Sequence, residues 1–164
     1  LYQVLAEAGA AHGMRPFGMR AMMSLRLEKF FGSWMREFRP DYMPAETGMD
    51  RFVSYNKPAA FIGKAAAAAE KSAGPARTLC AFAVDADDAD VVADEPIFDG
   101  EAVVGFVTSG GYAHYSEQSV ALGFVPTEMA VDGRTFAIEI LGDRRTATII
   151  TTPLVDPDGA RMRG

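Results

Sequence analysis

Cysteine is nearly missing from this sequence: Cys80 stands alone among 164 residues, beside only two histidines, His12 and His114. One cysteine excludes an internal disulfide framework and fits a reducing compartment. With one thiol and two imidazoles, a structural zinc site within the chain lacks ligands. No apolar run approaches the roughly 20 residues that span a bilayer. The first residues, Leu1 to Ala11, carry Glu7 and end in no cleavage site, so no signal peptide is expected. Chemistry-bearing motifs are also scarce. No G-x-G-x-x-G follows a strand pattern, so a dinucleotide fingerprint is absent. Gly63-Lys64 lacks both the earlier Gly and the following Ser/Thr of a phosphate loop. Ser109 lies in Thr-Ser-Gly-Gly rather than in a G-x-S-x-G elbow, and no acid partners His114, which argues against a hydrolase.

Basic charge is in short supply as well. The net charge is −6. Residues 1–75 hold ten Lys/Arg against seven Asp/Glu, whereas residues 76–164 hold six against fifteen. A nucleic-acid surface wants a dense basic stripe, and none is present. A small anionic ligand on the first half remains compatible with this balance. Six carboxylates without a Lys or Arg occupy 85–95. Their spacing lacks the pattern of an EF-hand loop, so they read as a solvated loop.

What is present is globular: 49% apolar and 23% charged residues. Residues 1–13 form an Ala/Leu-rich helical pattern stopped by Gly13. Residues 18–31 place Met19, Met23, Leu27 and Phe30 on one face and read as a second helix. An irregular loop with Trp34, Phe38 and Tyr42 spans 32–50, a strand is expected at 51–55, and Lys64–Lys71 is a third helix. At Gly74-Pro75 the pattern changes to short strands, at 77–84, 96–98, 102–109, 118–125, 134–141 and 146–152. Turns at Asp99-Gly100, Asp132-Gly133 and Gly142-Asp143 separate them. The expected architecture is α+β over about 1–74, followed by a small antiparallel β-barrel over 75–164. Cys80 falls in an apolar strand and reads as a core residue.

Three segments carry a further signal. The first is Leu25-Arg26-Leu27-Glu28, followed by Trp34 and Glu37. The second is Pro44-Ala45-Glu46-Thr47-Gly48-Met49, then Phe52-Val53, Lys57 and Phe61-Ile62-Gly63-Lys64. The third is Gly105-Phe106-Val107-Thr108-Ser109-Gly110-Gly111-Tyr112, then Ser119-Val120-Ala121-Leu122-Gly123-Phe124-Val125. In this order they resemble the folate-dependent aminomethyltransferases, the glycine cleavage T-protein superfamily. The resemblance runs from about residue 18 to 155. Trp34-Met35 in place of Tyr-Gly, and the ending Asp156-Pro157 to Arg161-Met162-Arg163, are similar to the dimethylglycine and sarcosine dehydrogenase branch.

The resemblance implies a fragment of a one-carbon transfer module that passes an amine-derived unit to tetrahydrofolate. It implies FAD in a preceding domain of the same parent chain as the partner. The chemistry in that family is iminium capture assisted by electrostatics and proton transfer, with no covalent nucleophile. The family's upstream Asp and pteridine-holding Glu would precede Leu1, so no catalytic residue is assigned here and the fragment alone is expected to be inactive. A bacterial cytoplasm or a mitochondrial matrix is the implied location. Folate-binding residues implied by position are Arg26, Glu28, Trp34, Glu37 and Tyr112. Arg26 is either a partner for folate carboxylates or an internal ion pair with Glu28, Glu37 or Glu46. Trp34 is either a folate contact or a loop anchor. The alternatives are a stand-alone aminomethyltransferase or demethylase, or a non-catalytic folate-binding module. The last of these carries a Cys-containing motif where this chain has Phe61-Ile62-Gly63-Lys64.

Overall fold

The computed structural model describes residues 1–164 and contains four α-helices, two short 3-10 helices and six strands. Helices α1 (Tyr2–Ala10), α2 (Met19–Glu28) and α3 (Lys64–Ala73) precede the strands β1 (Arg77–Val84), β2 (Pro96–Asp99), β3 (Ala102–Ala113), β4 (Gln118–Pro126), β5 (Thr135–Ile140) and β6 (Asp143–Ile150). A short terminal helix, α4 (Ala160–Arg163), follows. The strands close into an antiparallel barrel in the order β1-β4-β3-β2-β5-β6, with β6 pairing back to β1. The expected α+β chain with a small antiparallel barrel is what forms.

Alternation along the strands builds two apolar clusters. Phe82, Ile97, Val107, Ala121, Ile138 and Ile149 fill the barrel interior. Phe82 meets Phe136 edge-on, with ring centroids 6.0 Å apart. On the outer wall, Ala81, Ala113, Val120 and Leu122 receive Leu27 of α2. Strand β4 is therefore buried on both faces: Ala121 and Val125 point inward, Val120 and Leu122 toward α2. This explains its unbroken apolar run, where a one-sided strand would alternate. Cys80 belongs to the interior, and burial pushes its thiol up to about 11.

Two local readings change. Residues 51–55 form no strand. Met49–Phe52 is a 3-10 helix instead, entered through Gly48 at φ 70°. The carbonyl of Pro44 accepts from the N–H groups of both Met49 and Asp50, which winds the segment up. The closed barrel also offers no free edge for a further strand to join. The second helix stops at Glu28 rather than at residue 31, because Phe30 takes a left-handed φ of 54° and turns the chain.

Strand β3 runs on to Ala113 through Gly110-Gly111, four residues beyond the expected end at 109. Its pairing with β4 shifts between Val107 and Ser109, leaving Thr108 as the extra residue of a bulge. Thr108 Oγ1 donates to the carbonyl of Leu122, 3.0 Å away. The Gly110-Gly111 pair has a steric cause: a Cβ on Gly110 would lie 2.4 Å from Val91 Cγ1, and Gly111 adopts φ 150°.

Candidate functional site

The bulge and the last turn of α2 bring Arg26, Glu37 and Ser109 together. Arg26 Nη1 lies 3.4 Å from Glu37 Oε2 and donates to the carbonyl of Phe31 at 3.1 Å. Arg26 Nη2 donates to Ser109 Oγ at 2.7 Å, and Ser109 in turn donates to Glu37 Oε1. Glu37 is fully buried and also accepts from the N–H of Ser33 at 2.6 Å. The Arg26 side chain keeps one tenth of its surface exposed. Burial pulls its guanidinium below the usual range, and the Glu37 charge and hydrogen bond oppose that pull. One donor is left over: Arg26 Nε is buried without any partner.

The same network fixes the loop beyond α2. The carbonyl of Ser33 accepts from the N–H groups of Glu37 and Phe38, at 3.0 and 3.1 Å. Glu37 pins this turn from inside. Trp34, 77% exposed, and Met35 beside it stand on its outer side. Trp34 is therefore not packed on the core as a loop anchor. Next to this turn, Phe30, Phe31, Phe38, Met49 and Phe52 line an apolar cleft of about 330 Å³, with Arg51 among them.

The other residues expected at a folate site lie elsewhere. Glu28, 2% exposed, turns toward the β3–β4 hairpin, where its Oε1 accepts from the N–H groups of Tyr115 and Ser116 at 2.8 and 3.1 Å. Tyr112 pairs edge-on with His114, centroids 5.1 Å apart, in a cleft shared with Arg20, Met23 and Ser24. Ser24 Oγ donates to the carbonyl of Tyr112 at 2.9 Å, a second stitch between α2 and β3. Glu46 pairs with Arg77, Oε1 to Nε 2.8 Å, so of the acids offered as ion-pair partners for Arg26 it is Glu37 that engages. Arg26 and Glu37 are thus brought together, while Glu28, Trp34 and Tyr112 point three different ways. Ser109 is the residue that sequence reasoning left out of the site. It lay in a quoted motif, and its hydroxyl was weighed only as a nucleophile and not as a hydrogen-bond partner. No group of three or more potential metal ligands occurs, and no helix is long and apolar enough to cross a membrane.

Comparison with known proteins places these features in a family. A family model described as the GCVT N-terminal domain matches residues 1–57. A second, the glycine cleavage T-protein C-terminal barrel domain, matches 77–156. The chain is 40% identical to mouse mitochondrial dimethylglycine dehydrogenase over 163 residues, 99% of this chain and 19% of that protein. It is 31% identical to an aminomethyltransferase of Bacillus pumilus over 153 residues, 93% of this chain and 42% of that one. The crystal structure of the glycine cleavage system aminomethyltransferase T from Bartonella henselae superposes with a TM-score of 0.85 at 27% identity, covering 94% of this chain and 44% of that one. The chain spans about a fifth of the length of the dehydrogenases it matches and under half that of the aminomethyltransferases. With the ordered motifs, the closed barrel and both family models in agreement, this chain belongs to the glycine cleavage T-protein family of aminomethyltransferases.

Proposed function

We propose that this chain is the closing part of a folate-dependent one-carbon transfer module, in a flavin-dependent dehydrogenase of the dimethylglycine or sarcosine type. The boundary between its two parts is placed at Gly74-Pro75. FAD belongs to a preceding domain of the parent chain. The 40% identity to dimethylglycine dehydrogenase, aligned over 99% of the chain, supports this branch over a stand-alone aminomethyltransferase.

The observation that carries a folate role for these residues is the unpartnered Arg26 Nε. A buried donor left unsatisfied costs about 1–3 kcal/mol, and because Nε has no exposed surface an acceptor reaches it only where neighbouring side chains give way. A carboxylate is the acceptor that suits a guanidinium edge, and the glutamate tail of folate supplies two. Bound tetrahydrofolate contributes the nucleophilic nitrogens that take up the one-carbon unit. Arg26 holds the tail, while Trp34 offers a flat apolar face on a turn that Glu37 keeps rigid. Glu28 acts through the hairpin it holds, and Tyr112 forms an outer rim.

The test is Arg26→Ala in the full-length protein, read by equilibrium titration with tetrahydrofolate and by thermal melting. Loss of a charge-assisted hydrogen bond weakens binding by about 1.5–3 kcal/mol. Lys at this position restores only part, because it lacks the planar fork. Amine oxidation at the separate flavin site is unchanged. A destabilised protein with unaltered folate affinity would leave Arg26 a purely internal ion pair and end this reading.

A further inference from the structure

From two uncovered helix faces, we infer that the apolar stripe of α1 and the outer side of α2 form a docking surface for the part of the same one-carbon module that precedes Leu1 in the parent chain. The inference rests on the reading above, that this chain closes a longer module. Leu1, Val4, Leu5 and Ala8 recur at the i, i+3, i+4, i+7 spacing of an amphipathic helix, with Gln3 and Glu7 on the opposite side. Such a stripe is the side a helix buries, yet Leu1 is 96%, Val4 66% and Leu5 54% exposed. No backbone hydrogen bond joins α1 to any residue beyond Met14. A helix of nine residues is marginal in water by itself, so what steadies this one lies beyond the chain. On α2, Leu27 and Glu28 are buried, while Met22 and Leu25, neighbours three positions apart, stay exposed.

The place of these faces in the family identifies the occupant. Residues 77–156, matched by the barrel model, close on a core of their own. Residues 1–57, matched by the N-terminal domain model, contain both uncovered helices. The bare surface thus falls in one family domain and not in the other, as it does when the rest of that domain lies outside the chain. The length agrees, since the chain covers 42% of the Bacillus pumilus aminomethyltransferase. A second copy of this chain fits less well. A stable dimer buries about 800 Å² per partner, and three large side chains on α1 with two on α2, each already partly covered or small, fall short of that. A segment joined to α1 through the backbone is also present at a high effective concentration without any partner having to be found.

The experiment uses the full-length parent protein with a photo-reactive benzophenone amino acid in place of Leu5, and in place of Gln3 as the control. Irradiation should join position 5 to peptides of the one-carbon module ahead of Leu1, within a single chain, as identified by mass spectrometry; position 3 should give little such product. Leu5→Glu should lower the melting temperature of the parent by about 4 °C or more, and Gln3→Glu by no more than about 1 °C. In the 164-residue chain both substitutions should leave melting unchanged, because both positions face solvent there. If Leu5→Glu leaves no folded parent protein, Leu5→Ala is read by the same comparison. Cross-links to a second chain or to the flavin domain, equal labelling from positions 3 and 5, or a Leu5→Glu parent as stable as the Gln3→Glu one overturns the inference. Tetrahydrofolate titration of the unmodified parent is scored separately. Cross-links ahead of Leu1 without folate binding support the docking surface and end the functional reading; folate binding with position 5 unlinked does the reverse.

Discussion

The barrel and the helical half that precedes it treat their apolar side chains in opposite ways. Phe82, Ile97, Val107 and Ile138 have no exposed surface, and closure of the sheet leaves no unpaired edge. In residues 1–74 the buried apolar side chains are Leu27 and Ala67. Over the same stretch Leu1, Tyr2, Val4, Met19, Leu25, Phe52 and Ile62 are exposed, and α1 buries nothing at all. The barrel completes a core from its own strands. The helical half holds its shape by attachment: Leu27 in the outer-wall cluster, Arg26 on Ser109, Glu28 on the hairpin turn and Ser24 on Tyr112. A closed sheet is self-sufficient, whereas short helices joined by loops depend on what they lean against.

The largest expected effect comes from separating the two halves. Residues 75–155 expressed alone should keep β-type circular dichroism and unfold cooperatively in urea, while 1–74 alone should show little helix. Cooperative unfolding of 1–74 would break the comparison. A smaller effect tests the same contrast side chain by side chain. Ile138→Ala should cost about 2–5 kcal/mol by creating a cavity in the barrel, and Met19→Ala on α2 within about 0.5 kcal/mol. Both are read as denaturant midpoints at constant slope.

Next comes the seam between the halves. Glu28→Ala strips two backbone donors, at Tyr115 and Ser116, of their acceptor. It should cost about 1–3 kcal/mol. Amide exchange at Tyr115 and Ser116 should rise more than at Phe82. Uniform acceleration would place Glu28 in the global core instead of at the seam.

The smallest effect concerns pH. Asp156 titrates below its usual value, chiefly because its carboxylate accepts from the N–H of Arg161, with Lys29 helping. The unfolded chain takes up this proton more readily than the folded one. The contact therefore stabilises the fold above the ordinary carboxylate range, and that contribution is lost as pH falls through the lowered folded value. Asp156→Asn should flatten the melting temperature against pH below about pH 4, the region of the unperturbed aspartate. A wild-type acid slope in the variant would assign the sensitivity to other carboxylates.

Much of this architecture was legible in the residues because its determinants are local. Short strand patterns bounded by paired turn residues located all six barrel strands, and Ala-rich spacing located α3. The family motifs reached further than periodicity did, since they named Glu37, with Glu28 and Glu46, among the acids that could pair with Arg26 before any distance was known. Three things escaped. The 51–55 segment has β-branched and aromatic residues, but whether they become a strand depends on a partner edge that the closed barrel does not provide. The direction of Glu28 depends on where a hairpin 87 residues later comes to rest. Ser109 joined the site through a shift in strand register, which a linear pattern does not record.

That shift has a consequence for what β3 can tolerate. On the near side of Thr108, Phe106 faces outward and packs on Phe124, which itself stacks with Tyr42. On the far side the odd positions do: Ser109 toward Arg26, Gly111 beside Leu27 Cδ1, Ala113 in the outer cluster. The strand changes parity here within a single residue, as its pairing with β2 does at Val104, which packs on the interior cluster. Deleting Thr108 would remove this change, aiming a hydroxyl into the hydrocarbon interior or else dragging every later residue of β3 out of phase with β4. An insertion in a surface loop lengthens the chain at little cost. Here one residue more or less would exchange the inside and outside of half a strand, so the length of β3, as much as its composition, is part of the site.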